Sequence, residues 1–260
     1  MLSVLITHYN RIEQLKECLN AFKQIDFKKH SLEIVVSDDC SNLEIQNQLK
    51  DLKIDQLILS DKNTGLASSL NRGIKACQGE FILYCQEDFI PQKLISNYID
   101  EAIDILVEGK ADMCRLKANY RFPRLTDISP NFKLIPKFSW INFNYNTFQY
   151  SDHPFITKSN FFKNYGYFLD NVSGPYGENE YAIRIMRSKA KIAISNHYPF
   201  LDNTNSESVI MPQSKRKKRS FLKKIRLHKL LRALRLHFEF VMYSKNKRKL
   251  ITIKNIRGYN

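Results

Sequence analysis

Short apolar runs alternate with stretches of helical spacing along the first half of the chain. Ser3 to Thr7 is a β-branched run that reads as a strand. Arg11 to Phe22 then places Ile12, Leu15, Cys18, Leu19 and Phe22 at helical intervals. Leu32 to Ser37 is a second apolar run, stopping at Asp38-Asp39, and Ser41-Asn42 caps a helix predicted to reach about Leu52. Gln56 to Leu59 is a third strand and Leu66 to Cys77 a helix. Gly79 opens a fourth strand, Phe81 to Cys85, which ends abruptly in Gln86-Glu87-Asp88. Pro91 reads as the start of a helix to about Val107.

Strands alternating with helices predict an α/β fold, a mainly parallel sheet flanked by helices. Every strand stops in polar or acidic residues: Thr7, Asp38-Asp39, Asp61 and Gln86-Glu87-Asp88. In a parallel sheet these fall at one edge, where open α/β sheets place ligands. A buried strand gains nothing from leading into unpaired acids, so a cation or a polyhydroxy ligand is their natural partner. The first strand-to-helix turn has no glycine, which argues against a GxGxxG dinucleotide site.

The second half is less regular. Arg121 to Tyr150 is rich in Pro, Asn and aromatics, and reads either as a second small core or as an aromatic platform for a sugar. Phe155 to Tyr167 resumes with a strand and a helix. Gly177 opens a helix to about Ser188, and Lys191 to Ser195 is another strand.

Charge changes the picture only once it is located. The net +15 resides in residues 211–260, which carry 17 Lys/Arg against one acid, Glu239. The preceding 210 residues are near neutral. SKRKKRSFLKKIRLHKLLRALRLHFEFVMYSKNKRK can be read as one helix, with Leu222, Ile225, Leu230, Leu231, Leu234, Phe238, Val241 and Met242 near one stripe. That composition suits an interfacial helix on an anionic membrane surface, engaged through residues 215–243. Each basic residue near such a surface contributes on the order of 1 kcal/mol. A basic helix docked on the globule is the alternative. Nucleic-acid binding is not expected, because phosphate contacts need no apolar stripe.

Five scattered cysteines without CxxC spacing predict reduced thiols in a reducing compartment. The opening MLSVLITHYN lacks the features of a signal peptide, and no apolar run approaches the ~20 residues that span a bilayer. The expected location is cytoplasmic, peripheral on the inner face of the plasma membrane.

Three acidic clusters sit at predicted element ends: Asp38-Asp39, Glu87-Asp88 and Glu178/Glu180. Hard divalent ions take carboxylate oxygens and can neutralise a phosphate leaving group, with Asp88 the favoured ligand. The first cluster can hydrogen-bond a nucleobase or ribose, and the third can supply a general base. Acids at helix N-termini also serve simply as solvated or capping groups.

These residues carry a resemblance. SVLITHYNR, EIVVSDDCSN and NTGLASSLNRGIKACQGEFILYCQED resemble, in order, the blocks that open a family 2 glycosyltransferase, over about residues 2–90. SNFFKNYGYF and GENEYAIRI resemble the acceptor-side segment of that family. The resemblance implies a bacterial enzyme of the glycosyltransferase A (GT-A) fold. It would move a sugar from a nucleotide-diphosphate donor, UDP-linked by preference, to a cell-surface glycan or lipid-linked acceptor, as in polysaccharide or lipopolysaccharide synthesis. It implies inversion in a single displacement, with Mn²⁺ or Mg²⁺ as cofactor.

Carried over by position, Thr7, Tyr9, Arg11, Asp38, Asp39, Asn63, Gly65, Asn71, Gln86 and Glu87 would line the nucleotide-sugar pocket. Asp88 would hold the metal, with His197 as a second ligand or an ordinary surface residue. Glu178 would be the base, with Glu180 its rival. Gln86 stands where the family's Asp-x-Asp has its first acid. The expected organisation is a catalytic domain over 1–210, with a donor half 1–118 and an acceptor half 119–210, and a helical tail over 211–260. Two other readings are a catalytically degenerate donor-binding or scaffold protein of a glycan assembly complex, and a sugar nucleotidyltransferase. The Gly-rich phosphate loop and lysine of the latter are missing after the first strand.

Overall fold

The computed structural model describes residues 1–27, 29–170, 172, 174–203 and 226–243. Among the described residues, nine strands form one sheet in the order β3-β2-β1-β4-β9-β6-β10-β8-β7. β1 (Leu2–His8), β2 (Leu32–Asp38), β3 (Gln56–Leu59) and β4 (Phe81–Gln86) run parallel, with α1 (Ile12–Lys23), α2 (Leu43–Lys50) and α3 (Leu66–Ala76) as their crossovers. The predicted caps and spacings hold here. Asn42 Oδ1 accepts the Ile45 amide at 2.9 Å, and α1 buries Ile12, Leu15, Cys18, Leu19 and Phe22.

Alternation within the strands fills a core on each face of the sheet. Val4 and Ile6 of β1 and Leu83 and Cys85 of β4 pack with α1 and with α4 (Ile95–Val107). Leu5, Ile82 and Tyr84 point the other way, toward α3, α5 (Phe161–Tyr165) and α6 (Gly174–Arg187). α3 lies so close that a Cβ on Gly73 would meet Leu5 Cδ1 at 2.2 Å, so any side chain there would force Leu5 to repack.

The mainly parallel sheet flanked by helices is as expected, and three details add to or depart from the expectation. The sheet turns mixed beyond β4, because β9 (Phe155–Lys158) inserts antiparallel between β4 and β6 (Met113–Arg115). β10 (Ile192–Ser195) returns parallel to β6, and β8 (Phe132–Ile135) and β7 (Thr126–Asp127) close that edge antiparallel. Pro91 does not start a helix. Phe89–Pro91 is a short strand, β5, paired with β11 (Phe200–Asp202), and α4 begins only at Ile95. The aromatic stretch is partly core, with Phe132, Phe148 and Tyr150 buried, and partly surface, with Phe138 and Trp140 exposed.

The described part of the tail is helix α7, Arg226–Met242; Leu222 and Ile225 lie outside the described residues. α7 docks on the globule through Ala233, Leu236 and the following Tyr243, all buried. The apolar stripe expected from the sequence is its opposite face. Leu230, Leu231, Leu234, Phe238, Val241 and Met242 are each 42–69% exposed. No helix among the described residues is long and apolar enough to cross a membrane.

Candidate active site

The parallel register sets the strand ends side by side, with His8 opposite Asp38 and Thr7 opposite Gln86. The Asp39 amide donates to the His8 carbonyl at 3.0 Å, and the Glu87 amide to the Thr7 carbonyl at 3.2 Å, so the loops beyond the strands stay in line. Thr7 itself is buried, its hydroxyl 3.2 Å from that of Tyr84. Tyr9 is half-buried in the loop that follows.

His8 Nε2 accepts the Arg11 amide at 3.2 Å, which leaves the ring proton on Nδ1, 2.7 Å from Asp38 Oδ1. Burial alone would raise the Asp38 carboxyl. Hydrogen bonds from His8 and Ser41 outweigh it and hold the group below the usual carboxylate range. Asn10 and Cys40 adopt φ of +54° and +65° in the two loops. Side chains offset that strain: the Asn10 amide donates to Ser41 Oγ at 2.8 Å, and Asn10 Oδ1 accepts the Asn42 amide at 2.9 Å.

Asp39 closes the next loop. Its Oδ1 accepts the Thr64 amide and hydroxyl and Arg72 Nη2, and its Oδ2 accepts the Gly65 amide at 2.6 Å. Gly65 sits at φ +86°, where a side chain would be strained. Asn63 beside it is exposed. Asn71 on α3 bonds Phe168 through both its carbonyl and its amide, and also reaches Asp170, so its groups staple α3 to the segment before α6.

Arg11 joins the end of β1 to the acids after β4. Its Nη1 lies 3.0 Å from Asp88 Oδ2 and 3.3 Å from Glu87 Oε1. Burial, and then the charge of Asp88, push the Glu87 carboxyl up to about 8, with Arg11 acting against them. Asp88 Oδ1 is buried with no hydrogen-bond partner.

A pH dependence follows. Glu87 holds a proton in the folded state above the 4.5 of an ordinary glutamate. Its contribution to stability is full below pH 4.5 and is lost as pH rises through 8. Glu87→Gln removes that loss, so its stability relative to wild type should rise by about 2–3 kcal/mol between pH 6 and pH 9 in denaturant melts. A pH-independent difference would show that Glu87 ionises normally.

The second half of the chain meets this edge through Asp152. Gln86 Nε2 donates to the Asp152 carbonyl at 2.9 Å, and the Asp152 amide lies 3.4 Å from Glu178 Oε1 on α6. Burial, and next the charge of Glu178, drive the Asp152 carboxyl well above its ordinary range. Cations stand nearby. Arg115 at the end of β6 is buried and donates to the Phe148 carbonyl at 2.7 Å. Lys117 Nζ sits 5.3 Å over the Phe89 ring and pairs with Asp202 at 2.9 Å. Burial and both cations lower His153 to about 4, so its ring is neutral at physiological pH.

Glu180 is placed differently from Glu178. It is fully buried, with Arg184 Nε at 3.0 Å and the hydroxyl of Tyr243, just after α7, at 2.6 Å. Arg184 also donates to the Tyr165 and Tyr167 carbonyls. This is the geometry of a structural ion pair. Glu180→Gln should cost about 3 kcal/mol of stability by leaving the partly buried Arg184 beside a neutral group, and Tyr243→Phe about 1–2 kcal/mol. Urea melts measure both; an unchanged midpoint for Glu180→Gln would return this residue to the list of bases.

His197 and Asp88 do not come together. β11 runs antiparallel to β5, so Asn203, whose amide donates to the Asp88 carbonyl at 2.8 Å, adjoins the acids. His197 precedes the other end of β11, on the rim of a cavity of about 640 Å³ lined with Tyr120, Phe122, Lys133 and Tyr198. No group of three His, Cys, Asp or Glu suited to a metal occurs among the described residues.

Sequence reasoning passed over His8, Arg72, Arg115, Lys117, Asp152 and His153. His8 and Arg72 lie within the blocks that carry the family resemblance, and Asp152-His153 stands as a titratable pair just ahead of the Phe155 strand.

A mostly parallel sheet with helices on both faces, gathering acids and an arginine at its strand ends beside a helix-borne glutamate, defines a glycosyltransferase of the GT-A class. The family model described as Glycosyl transferase family 2 matches residues 3–166, and the chain belongs to that family. Among curated proteins, the poly(ribitol-phosphate) beta-N-acetylglucosaminyltransferase TarS of Staphylococcus aureus is 32% identical over 109 residues, covering 38% of this chain and 19% of that protein. An uncharacterized glycosyltransferase of Haemophilus influenzae is 27% identical over 95 residues, covering 36% of this chain and 32% of its own length. The matches thus span about a fifth to a third of these relatives. Among solved structures, TarS 1–349 in complex with UDP-GlcNAc superposes with a TM-score of 0.58 at 19% identity, covering 98% of this chain and 77% of that one. The mannosyltransferase PcManGT of Pyrobaculum calidifontis, in complex with GDP-Man and Mn²⁺, gives 0.53 at 14%, covering 94% and 70%. At these identities the structures establish the shared fold.

Proposed function

We propose that this glycosyltransferase transfers a sugar, with inversion, from a UDP-linked donor to a hydroxyl of a cell-surface glycan or lipid-linked acceptor. The observation that carries this reading is the Arg11–Glu87–Asp88 cluster at the end of β4, joined through Gln86 and Asp152 to Glu178. The donor diphosphate lies at the first end of that chain of contacts and the acceptor hydroxyl at the other. The UDP-GlcNAc complex of TarS supports uridine as the base to test first.

Glu178 takes the acceptor proton as the hydroxyl attacks the anomeric carbon. Gln86, by holding the Asp152 carbonyl, keeps that glutamate in line with the strand end. Arg11 offsets negative charge beside the leaving phosphate. The residues fit a divalent cation of the kind that uses one or two carboxylates and substrate phosphates. The orphaned Asp88 Oδ1 would hold it, with Glu87 beside it, and the ion would neutralise charge on the departing diphosphate. The reaction belongs, in this reading, on the inner face of the plasma membrane.

Calorimetric titration with UDP, GDP and CDP, followed by hydrolysis and transfer assays with UDP-GlcNAc and Mn²⁺, tests the proposal. Preferential UDP binding with turnover is the expected result. Binding without turnover of any nucleotide sugar would favour the degenerate scaffold that Gln86 makes conceivable. Failure to bind any nucleoside diphosphate would reject both.

A further inference from the structure

We infer that α7 and the 138–143 loop form one membrane-docking platform for anionic lipid. α7 is held in a fixed rotation. Arg232 lies over the Phe148 ring at 4.7 Å, Arg187 over Phe240 at 5.1 Å, and Tyr243 is bonded to Glu180. Those contacts turn its six outward apolar side chains away from the globule. Trp140 is the most exposed large apolar residue among the described residues, at 79%, and Phe138 and Ile141 are also exposed.

The two elements adjoin. The His237 ring of α7 stacks on Phe143 at 4.4 Å, Phe143 stacks on Trp140, and Phe138 meets His237 edge-on at 6.1 Å. Scattered exposed apolar residues need no explanation, but a contiguous patch on two rigidly joined elements marks an interaction site. Charge selects the occupant. The sequence on either side of the helix reads Lys-Arg-Lys-Lys-Arg at 215–219 and carries Lys245, Lys247, Arg248 and Lys249 after it. An apolar stripe flanked by basic runs, with a tryptophan beside it, is the combination that partitions into an anionic bilayer interface. α7 packs on α6, the helix of Glu178, so the platform would hold the acceptor side of the site near a lipid-linked substrate.

That purpose rests on the proposed function, but the surface itself can be tested without transfer. Trp140 is the only tryptophan, so its fluorescence reports on this loop alone. The full-length protein should show a solvent-exposed emission that shifts to the blue on phosphatidylglycerol vesicles and is quenched by brominated lipid, with little change on phosphatidylcholine. In Leu234→Asp/Phe238→Asp, which alters exposed positions only, partition should fall at least tenfold and the Trp140 shift should be lost. No shift on anionic vesicles overturns the proposal, as does an equal shift in the variant. Emission already blue and shielded from acrylamide without lipid would mean that the rest of the chain covers the patch, and dimerisation abolished by the variant would assign it to a second copy. Either would overturn the lipid reading. Vesicle binding by a protein that binds no nucleotide would leave the platform standing while the proposed function fails.

Discussion

Glu178→Gln should lower transfer by roughly 10²–10⁴-fold while leaving UDP-sugar affinity within about threefold of wild type. The substitution keeps the side chain's size and its oxygen near the Asp152 amide but removes the proton acceptor. Positioned general bases contribute roughly 10²–10⁴-fold, so kcat should fall by that factor. Single-turnover transfer and equilibrium donor binding separate the two effects. A structural role would lower affinity, stability and kcat together; a base would move kcat alone. The loss of the Glu178 charge should also let Asp152 titrate closer to an ordinary aspartate, because that charge is the second cause of its raised pKa. Full activity in the variant would exclude Glu178 as the base.

Asp88→Asn should reduce kcat/KM by about 10³-fold or more and weaken activation by Mn²⁺ at least tenfold. Losing charge stabilisation at a departing group typically costs roughly 10²–10³ in rate, and a loosened metal adds to that. Asn keeps a polar oxygen in place, so Arg11 retains a partner and the strand end should stay folded. In the variant Glu87 should titrate lower than about 8, because the Asp88 charge is the largest cause of its raised pKa after burial. The decisive measurement is the Mn²⁺ dependence of initial rates in wild type and variant. Superposable curves would remove Asp88 from the metal site and leave the diphosphate to Arg11 alone.

The gathering of Thr7, Asp38-Asp39 and Glu87-Asp88 at one edge of the sheet was legible because its information is local. Each buried strand announces its end by a change from apolar to acidic residues, and parallel order then forces those ends to one edge. The same logic fails for β9. Phe155–Lys158 is an apolar run like the others, and nothing in such a run states direction, so its antiparallel insertion between β4 and β6 had no signature. Pro91 was misread for a related reason. Its partner Phe200 lies more than a hundred residues away, and a proline ahead of an apolar periodic stretch otherwise suits a helix start.

Glu178 and Glu180 show the limit most clearly. They stand two residues apart with the same side chain, and only Arg184 and Tyr243, supplied by packing, separate a structural carboxylate from one facing Asp152. The tail stripe was visible in the sequence, but which way it faced was not. That depended on Arg232 and Tyr243 finding partners on the globule, and on Arg187 of α6 meeting Phe240 of the tail helix.

The Asp39 clamp has a consequence for how a nucleobase is chosen. Both oxygens of that carboxylate already serve Thr64, Gly65 and Arg72. Oδ1 already takes three donors, so a base that reads Asp39 through that oxygen exchanges hydrogen bonds instead of adding them, and swapping equal bonds gains little binding energy. Discrimination gains far more. A base presenting no donor at that position would displace bonds of the loop and return none, leaving a buried carboxylate short of partners. The site would thus distinguish bases sharply while holding the right one only moderately, which suits an enzyme that must release its spent nucleotide after every cycle.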